Sequence, residues 1–101
     1  MTKLADLHPE FGASGDGRWW LQFDCQTTPG GRVQVYFHRG APQPGFWQCT
    51  SEFRLFAGLE HLGEQPVIGA LTLVPSIGDH HCKSRERCPG HVTIINGEVL
   101  P

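Results

Sequence analysis

The sequence predicts a mainly β domain made of short antiparallel strands, with two hairpins among them. Thirteen glycines and eight prolines in 101 residues indicate frequent turns, which favours short strands over long helices. Residues 19–24 and 32–38 alternate apolar with polar side chains, as half-buried strands do. Near the C-terminus, Asn96 and Gly97 form a dipeptide typical of a two-residue hairpin turn, between two apolar segments.

The first predicted hairpin consists of the two alternating segments and the turn between them. One face of each strand is apolar: Trp19, Leu21 and Phe23 on the first strand, Val33, Val35 and Phe37 on the second. Residues 26–31 contain a proline and two glycines, which is typical of a turn. Period-2 patterning with aromatic and β-branched residues therefore predicts a hairpin over residues 19–38.

The rest of the chain divides into a flexible arm and one domain. Residues 1–17 predict an N-terminal arm with one helical turn over residues 2–7, which Pro9 ends. We expect residues 18–101 to form a single β-rich domain, because a chain of this length holds one core.

Four further segments complete the predicted domain. We expect a loop over residues 39–45 and a third, bent strand over residues 46–56. Residues 57–66 fit either a loop or one helical turn. Residues 67–77 are almost continuously apolar, which predicts a central strand covered on both faces. The second hairpin pairs residues 91–95 with residues 98–100.

The charge and the N-terminal residues bear on location and partners. A formal charge of -2 argues against broad affinity for nucleic acid or acidic membranes, which requires a surplus of Lys and Arg. The first residues lack the apolar region of a signal peptide, and no apolar run reaches membrane-spanning length. We therefore expect a cytoplasmic protein, in which reduced cysteines serve as metal ligands or remain free thiols.

The segment 80–91 is rich in residues that bind metal ions. It contains five such residues, namely His80, His81, Cys82, Cys88 and His91. Cys88 and His91 have the two-residue spacing of half a zinc knuckle, and Pro89 and Gly90 favour the tight turn between them. The pattern predicts zinc binding.

A structural zinc needs four ligands, and two more cysteines can complete the set. Cys25 follows the first predicted strand, where a zinc-ribbon knuckle belongs, but the knuckle's second position is Thr28. Cys82 can replace it, so the predicted ligands are Cys25, Cys82, Cys88 and His91. Lys83, Arg85 and Arg87 would offset the negative charge of three thiolates. On this basis we expect residues 18–101 to be a zinc-binding domain with a small zinc-ribbon-like antiparallel β fold.

Other interpretations of these residues stay open. Cys82 and Cys88 can instead form a loop disulfide or stay as exposed thiols, and another metal can replace zinc. His80 and His81 are either competing ligands or solvated loop residues. Cys49 is expected to be a buried small hydrophobic residue. The isolated histidines are expected at the surface, which applies to His8, His38 and His61.

Two segments near the C-terminus, residues 71–77 (LTLVPSI) and 88–99 (CPGHVTIINGEV), form a specific pattern, and residues 20–25 (WLQFDC) and 45–48 (GFWQ) add a looser one. In these segments the chain resembles a family of small uncharacterised zinc-ribbon-like proteins of phages and bacteria. The resemblance implies zinc ligation by Cys25, Cys88 and His91. Thr28 and an insertion over residues 57–70 depart from the family pattern. Because some members lie in phage genomes or bacterial defence islands, the resemblance implies a host–phage or defence role.

A binding function fits the sequence better than catalysis. The sequence lacks G-x-S-x-G, H-E-x-x-H and phosphate-binding glycine motifs, so we expect no catalytic residues; a zinc-dependent enzyme is the alternative. The many large aromatic residues predict an exposed patch that binds a protein partner, with Trp20, Arg85 and Arg87 as contacts. A second alternative is a zinc ribbon that binds nucleic acid through the basic residues at 83, 85 and 87.

Overall fold

The computed structural model describes residues 2–14, 17–26, 30–39, 46–78 and 91–100. Within these residues it contains ten strands and three short 3₁₀ helices. The strands are β1 (Thr2–Lys3), β2 (Glu10–Ala13), β3 (Arg18–Asp24), β4 (Arg32–Arg39), β5 (Trp47–Cys49), β6 (Phe53–Arg54), β7 (Gln65–Pro66), β8 (Leu73–Ile77), β9 (Val92–Ile95) and β10 (Glu98–Leu100). The helices are η1 (Leu4–Leu7), η2 (Glu60–Leu62) and η3 (Ile68–Ala70).

Eight of the strands form one sheet, and β6 and β7 form a separate pair. The order in the large sheet is β1-β10-β9-β8-β5-β4-β3-β2, with every pairing antiparallel except β4 with β5. The mainly β class predicted from the sequence is therefore confirmed. The strands predicted at residues 19–24 and 32–38 are confirmed as β3 and β4, whose register sets Trp20 opposite Tyr36.

The large sheet is curled, since its two edge strands are neighbours in the sequence. β1 and β2 lie at opposite ends of the strand order, yet only residues 4–9 connect them. A side-chain hydrogen bond also joins the two sides of the curl: Gln26 Nε2 donates to Thr2 Oγ1 at 2.7 Å. The fully buried Leu4 of η1 belongs to the core between them.

The core lies on the concave face of the sheet and draws on most of its strands. Its fully buried side chains include Leu4, Leu21, Phe23, Val33, Val35, Phe37, Leu71, Leu73, Ile77, Ile94 and Val99. The apolar faces predicted for β3 and β4 are the faces that the structure buries. Hydrophobic burial from strands far apart in sequence therefore holds the curl closed.

The N-terminal segment differs from the flexible arm that the sequence predicts. Residues 2–14 form β1, η1 and β2, and both strands pair within the large sheet. The backbone N–H of Leu4 donates to the carbonyl of Gly97 at 2.8 Å. The local sequence, with its glycines and short polar residues, did not indicate these strands. The pairing of β1 with β10 in particular joins segments that are remote in sequence.

Two other predicted strands were wrong in extent. The single strand predicted over residues 67–77 is η3 followed by β8, and β8 is central in the sheet but exposes Val74, Pro75 and Ser76. β8 is therefore not buried on both faces. The bent strand predicted over residues 46–56 is two separate strands, β5 and β6, and residues 57–66 contain both η2 and β7.

The turn between β9 and β10 is fixed by close packing as well as by its backbone conformation. Asn96 and Gly97 both have positive φ, at 49° and 78°. A side chain at Gly97 would overlap the carbonyl of Gly69, and the Gly97 N–H donates to the Leu71 carbonyl at 2.9 Å. Glycine is therefore required here, and the turn anchors β9 and β10 against η3.

Candidate functional site

An aromatic surface lies on the convex face of β3 and β4. It consists of Trp20, Tyr36 and Phe46 together with Arg18. Trp20 and Tyr36 are directly opposite each other across the two strands. The Arg18 guanidinium lies 5.8 Å from the Tyr36 ring centroid and 4.7 Å from that of Phe46. Tyr36 is 39% exposed, while Trp20 and Phe46 are partly buried.

The two adjacent tryptophans have different environments. Trp19 faces the core, where its ring packs 6.2 Å from Phe11 and 5.8 Å, edge-on, from Phe53. Trp20 faces outward and its indole lies across Gly12 of β2, where an added Cβ would come within 2.8 Å of the ring. Gly12 thus lets the Trp20 indole lie flat toward the edge of the sheet.

A partly open cavity of about 200 Å³ lies on the other side of β2. Its lining is mostly apolar and consists of Phe11, Gly12, Ala13, Trp19, Leu62 and Gln65. Gln65 is only 8% exposed, and its Nε2 has no hydrogen-bond partner in the described part of the chain. Sequence analysis missed this site, because β2 and β7 come together only through tertiary packing.

The segment between β6 and β7 exposes a second group of apolar side chains. Leu55 and Leu62 are 60% and 58% exposed, and Phe56 and Leu59 are also exposed. The sequence alone shows this feature, since four large apolar residues fall within the eight positions 55–62. Their spacing fits neither a strand nor an extended helix, which is why the pattern did not assign them to a surface.

A polar cluster fixes the end of η1 onto β3 and β4. His8 Nδ1 donates to Asp24 Oδ2 at 2.7 Å, and Arg32 Nη1 donates to Asp24 Oδ1 at 2.7 Å. Arg32 Nη2 also donates to the backbone carbonyl of His8 at 2.8 Å. The hydrogen bonds from His8 and then from Arg32 hold the pKa of Asp24 below its usual value of 3.8.

The structure describes two of the four predicted zinc ligands, Cys25 and His91. The strand directions bring the end of β3 and the start of β9 to the same end of the sheet. Cys25 packs against the core, whereas His91 is exposed beside Ser76 on the convex face. The two side chains therefore share an end of the sheet but lie on opposite faces.

The remaining predicted site residues, Cys82, Cys88, Arg85 and Arg87, lie outside the described residues, as do His80 and His81. In the described ranges, no group of three or more His, Cys, Asp or Glu side chains is arranged to hold a metal ion. The chemistry of His91 does fit a ligand. Its Nε2 lies 2.9 Å from Ser76 Oγ, and with that nitrogen protonated, Nδ1 is available to a metal.

The other histidines and Cys49 have the following positions. Cys49 is buried, as predicted, with its sulfur 3.3 Å from Ser51 Oγ. His8 and His61 are exposed, as predicted. The prediction for His38 was wrong, since this residue is 3% exposed. Alternation along β4 places His38 on the convex face, but alternation alone does not reveal what covers it.

The chain matches no protein-family model, no curated protein sequence and no solved structure. In the described ranges, no helix has the length and apolar character needed to cross a membrane. Functional inference therefore depends on the geometry of the chain itself.

Proposed function

We propose that the protein is a small metal-stabilised binding module that acts by protein–protein interaction. The observation that carries the proposal is the aromatic surface, in which the exposed Tyr36 and the partly buried Trp20 and Phe46 lie together beside Arg18. Tryptophan, tyrosine and arginine are the residues most enriched at the energetic centres of protein interfaces.

The environment of Trp20 supports this role. The indole rests on Gly12, which holds its ring in place on one side, and Trp20 is only partly buried. Its Nε1–H has no hydrogen-bond partner within the described ranges. A rigid aromatic ring with an unused donor can gain both packing and a hydrogen bond when a partner covers it.

Zinc is proposed as a structural cofactor held by Cys25, Cys82, Cys88 and His91, which would make the domain zinc-ribbon-like. The support for this proposal is the two-residue spacing of Cys88 and His91 in the sequence. Cys25 and His91 share one end of the sheet but lie on opposite faces, with β4, β5 and β8 between β3 and β9. A bound zinc would cross-link these segments. Three thiolates would leave no open coordination position, so the ion would serve stability and not water activation.

The nucleic-acid alternative rests on Arg85 and Arg87, which lie outside the described residues. Three arginines form ion pairs with carboxylates: Arg32 with Asp24, Arg39 with Glu64, and Arg54 with Glu52. Paired guanidinium groups do not provide the excess positive charge that phosphate binding requires. Protein binding in the cytoplasm, with the host–phage or defence role that the family resemblance implies, remains the proposal; a zinc-dependent enzyme is the other alternative.

Affinity purification of the tagged chain from its native cells tests the protein-binding function. We expect a specific protein to co-purify with the native chain, and Trp20→Ala to reduce its recovery. Ile95→Ala is the matched control, because Ile95 is an exposed apolar side chain of β9, far from Trp20 in the strand order. Equal recovery with both variants would count against the aromatic surface.

A further inference from the structure

The outer edge of β2 has unpaired backbone groups. β2 is the last strand of the sheet and pairs only with β3. The Ser14 N–H donates to the Arg18 carbonyl at 2.9 Å, in line with the β2–β3 register. Hydrogen-bonded residues alternate along an antiparallel pair, so the N–H and C=O groups of Phe11 and Ala13 point away from β3. In the described part of the chain, no backbone bond to another segment uses them.

The inner and outer sides of this edge offer different contacts. On the inner side, the cavity of about 200 Å³ brings Phe11, Trp19 and Leu62 around the buried, unpaired Nε2 of Gln65. On the outer side, the Trp20 indole extends over Gly12. A strand added beside β2 would place alternate side chains against each of these sites.

The size of the cavity indicates what it can hold. Sites for drug-sized ligands usually have volumes of about 300–1,000 Å³, whereas a cavity of about 150 Å³ accepts benzene. The cavity therefore suits one aromatic or branched aliphatic side chain. The unpaired Nε2–H of Gln65 can donate a hydrogen bond to a carbonyl oxygen, and the backbone of a bound peptide would supply one.

Two carboxylates lie near the edge, while the neighbouring cations are already engaged: Arg18 lies against the Tyr36 and Phe46 rings, and Arg32 binds Asp24. Glu10, at the start of β2, is 68% exposed and lies 3.5 Å from Arg32, whose other terminal nitrogen already binds Asp24. Glu60 lies in the same 3₁₀ turn as Leu62 and forms no ion pair with a described residue. Lysine or arginine in a bound segment would complement these two carboxylates.

We propose that the partner binds as an extended peptide strand along the open edge of β2. One apolar side chain of the peptide enters the cavity, an outward side chain contacts Trp20, and flanking Lys or Arg residues lie near Glu10 and Glu60. The backbone groups of Phe11 and Ala13 supply the hydrogen bonds, as in other strand-addition complexes. This inference rests on the proposed protein-binding function and names the form of its partner.

A peptide library tests this binding mode on the full chain. The probe is a set of fluorescein-labelled octapeptides with Lys or Arg flanks and one varied central apolar residue, measured by fluorescence polarisation. The best peptide is then resynthesised with a single N-methyl group at each backbone nitrogen in turn. We expect N-methylation at every second position to weaken binding roughly tenfold, because only alternate amides face β2.

Variants of the protein provide matched controls. Leu62→Ala should weaken peptide binding several-fold, while Leu55→Ala should not, since both leucines are similarly exposed but only Leu62 lines the cavity. Ala13→Pro should weaken binding by removing one donor at the open edge, whereas Ala13→Ser retains that donor. If Ala13→Pro fails to fold, the N-methylation series and the leucine pair still decide the question.

The outcomes separate this inference from the proposed function. Absence of binding by every peptide, or N-methyl effects without alternation, overturns the strand mode. If Trp20→Ala still reduces recovery of the native partner in that case, the protein-binding function stands without it. Alternating effects in a peptide whose affinity is unchanged by Trp20→Ala would support the strand mode and reject the aromatic surface.

Discussion

Asp24 is the residue that joins the N-terminal segment to the sheet most directly. Its carboxylate accepts hydrogen bonds from His8, at the end of η1, and from Arg32 at the start of β4. Because these partners favour the ionised form, they lower the pKa of Asp24. The same pairing fixes the position of β2 beside β3, and hence the edge and the cavity.

This cluster predicts a pH-dependent contribution to stability. The contribution should be complete above the unfolded pKa of about 3.8 and lost as pH falls through the lower folded pKa. Asp24→Asn should therefore destabilise the protein at about pH 7, with a difference that shrinks toward about pH 2.5. Urea unfolding midpoints at both pH values provide the measurement.

Asp6→Asn is the control for Asp24→Asn, since Asp6 is an exposed carboxylate of η1 without an ion pair to any described residue. It should leave the midpoints nearly unchanged. A constant difference between Asp24→Asn and the native chain at both pH values would contradict the role given to the ion pairs.

At the scale of elements, the N-terminal segment closes the curled sheet. Leu4 is fully buried, and its backbone is bonded to the β9–β10 turn. Leu4→Ala should lower the free energy of unfolding by about 2–5 kcal/mol, because it leaves a cavity in the core. Leu59→Ala, at an exposed position, should cost less than about 0.5 kcal/mol. Similar values for both variants would mean that the segment is dispensable.

The elements that could be predicted from the sequence are those whose partners are local or whose patterns are regular. β3 and β4 show alternation over six or more residues, and Asn96–Gly97 has the positive φ values that its dipeptide favours. β1, β2, β5 and β7 are too short to establish a period. Their pairings depend on residues remote in sequence, so neither the curl nor the cavity at β2 follows from local patterns.

The candidate site divides in the same way. The outward-facing tryptophan could be predicted because Trp20 lies on the polar face of an alternating strand, opposite Trp19. Gln65 and Leu62 could not, because they face β2 only after β6 and β7 pair and pack beneath the sheet. Single-residue patterns indicate which face a side chain takes but not which distant segment covers it.

At the scale of the whole molecule, we predict that a bound zinc ion stabilises the end of the sheet at which β3 ends and β9 begins. Native-purified protein should contain about one equivalent of zinc, and Cys88→Ser should remove it and lower stability by several kcal/mol. Cys49→Ser is the control for metal content, since Cys49 is buried in β5 and outside the proposed ligand set. A fully folded, zinc-free protein with a Cys82–Cys88 disulfide would contradict the prediction.

The whole molecule also presents one continuous region for a partner. The aromatic surface lies on the convex face of β3 and β4, Gly12 carries the Trp20 indole onto β2, and the cavity lies behind that strand. A binding module of this size needs only a few well-placed aromatic contacts to provide most of its affinity. Trp20 therefore belongs both to the aromatic surface on β3 and β4 and to the open edge at β2.

The most direct test of the proposed function is to measure how tightly the co-purified partner binds three forms of the chain. These are the native chain, Trp20→Ala and the double variant Arg85→Ser/Arg87→Ser. Calorimetric titration at low and high salt should show Trp20→Ala weakening binding by more than about 1 kcal/mol, with modest dependence on salt. Unfolding midpoints should show that Trp20→Ala remains folded. Unchanged binding by Trp20→Ala, with loss in the double arginine variant and a steep decline with salt, would contradict the account and favour nucleic-acid binding.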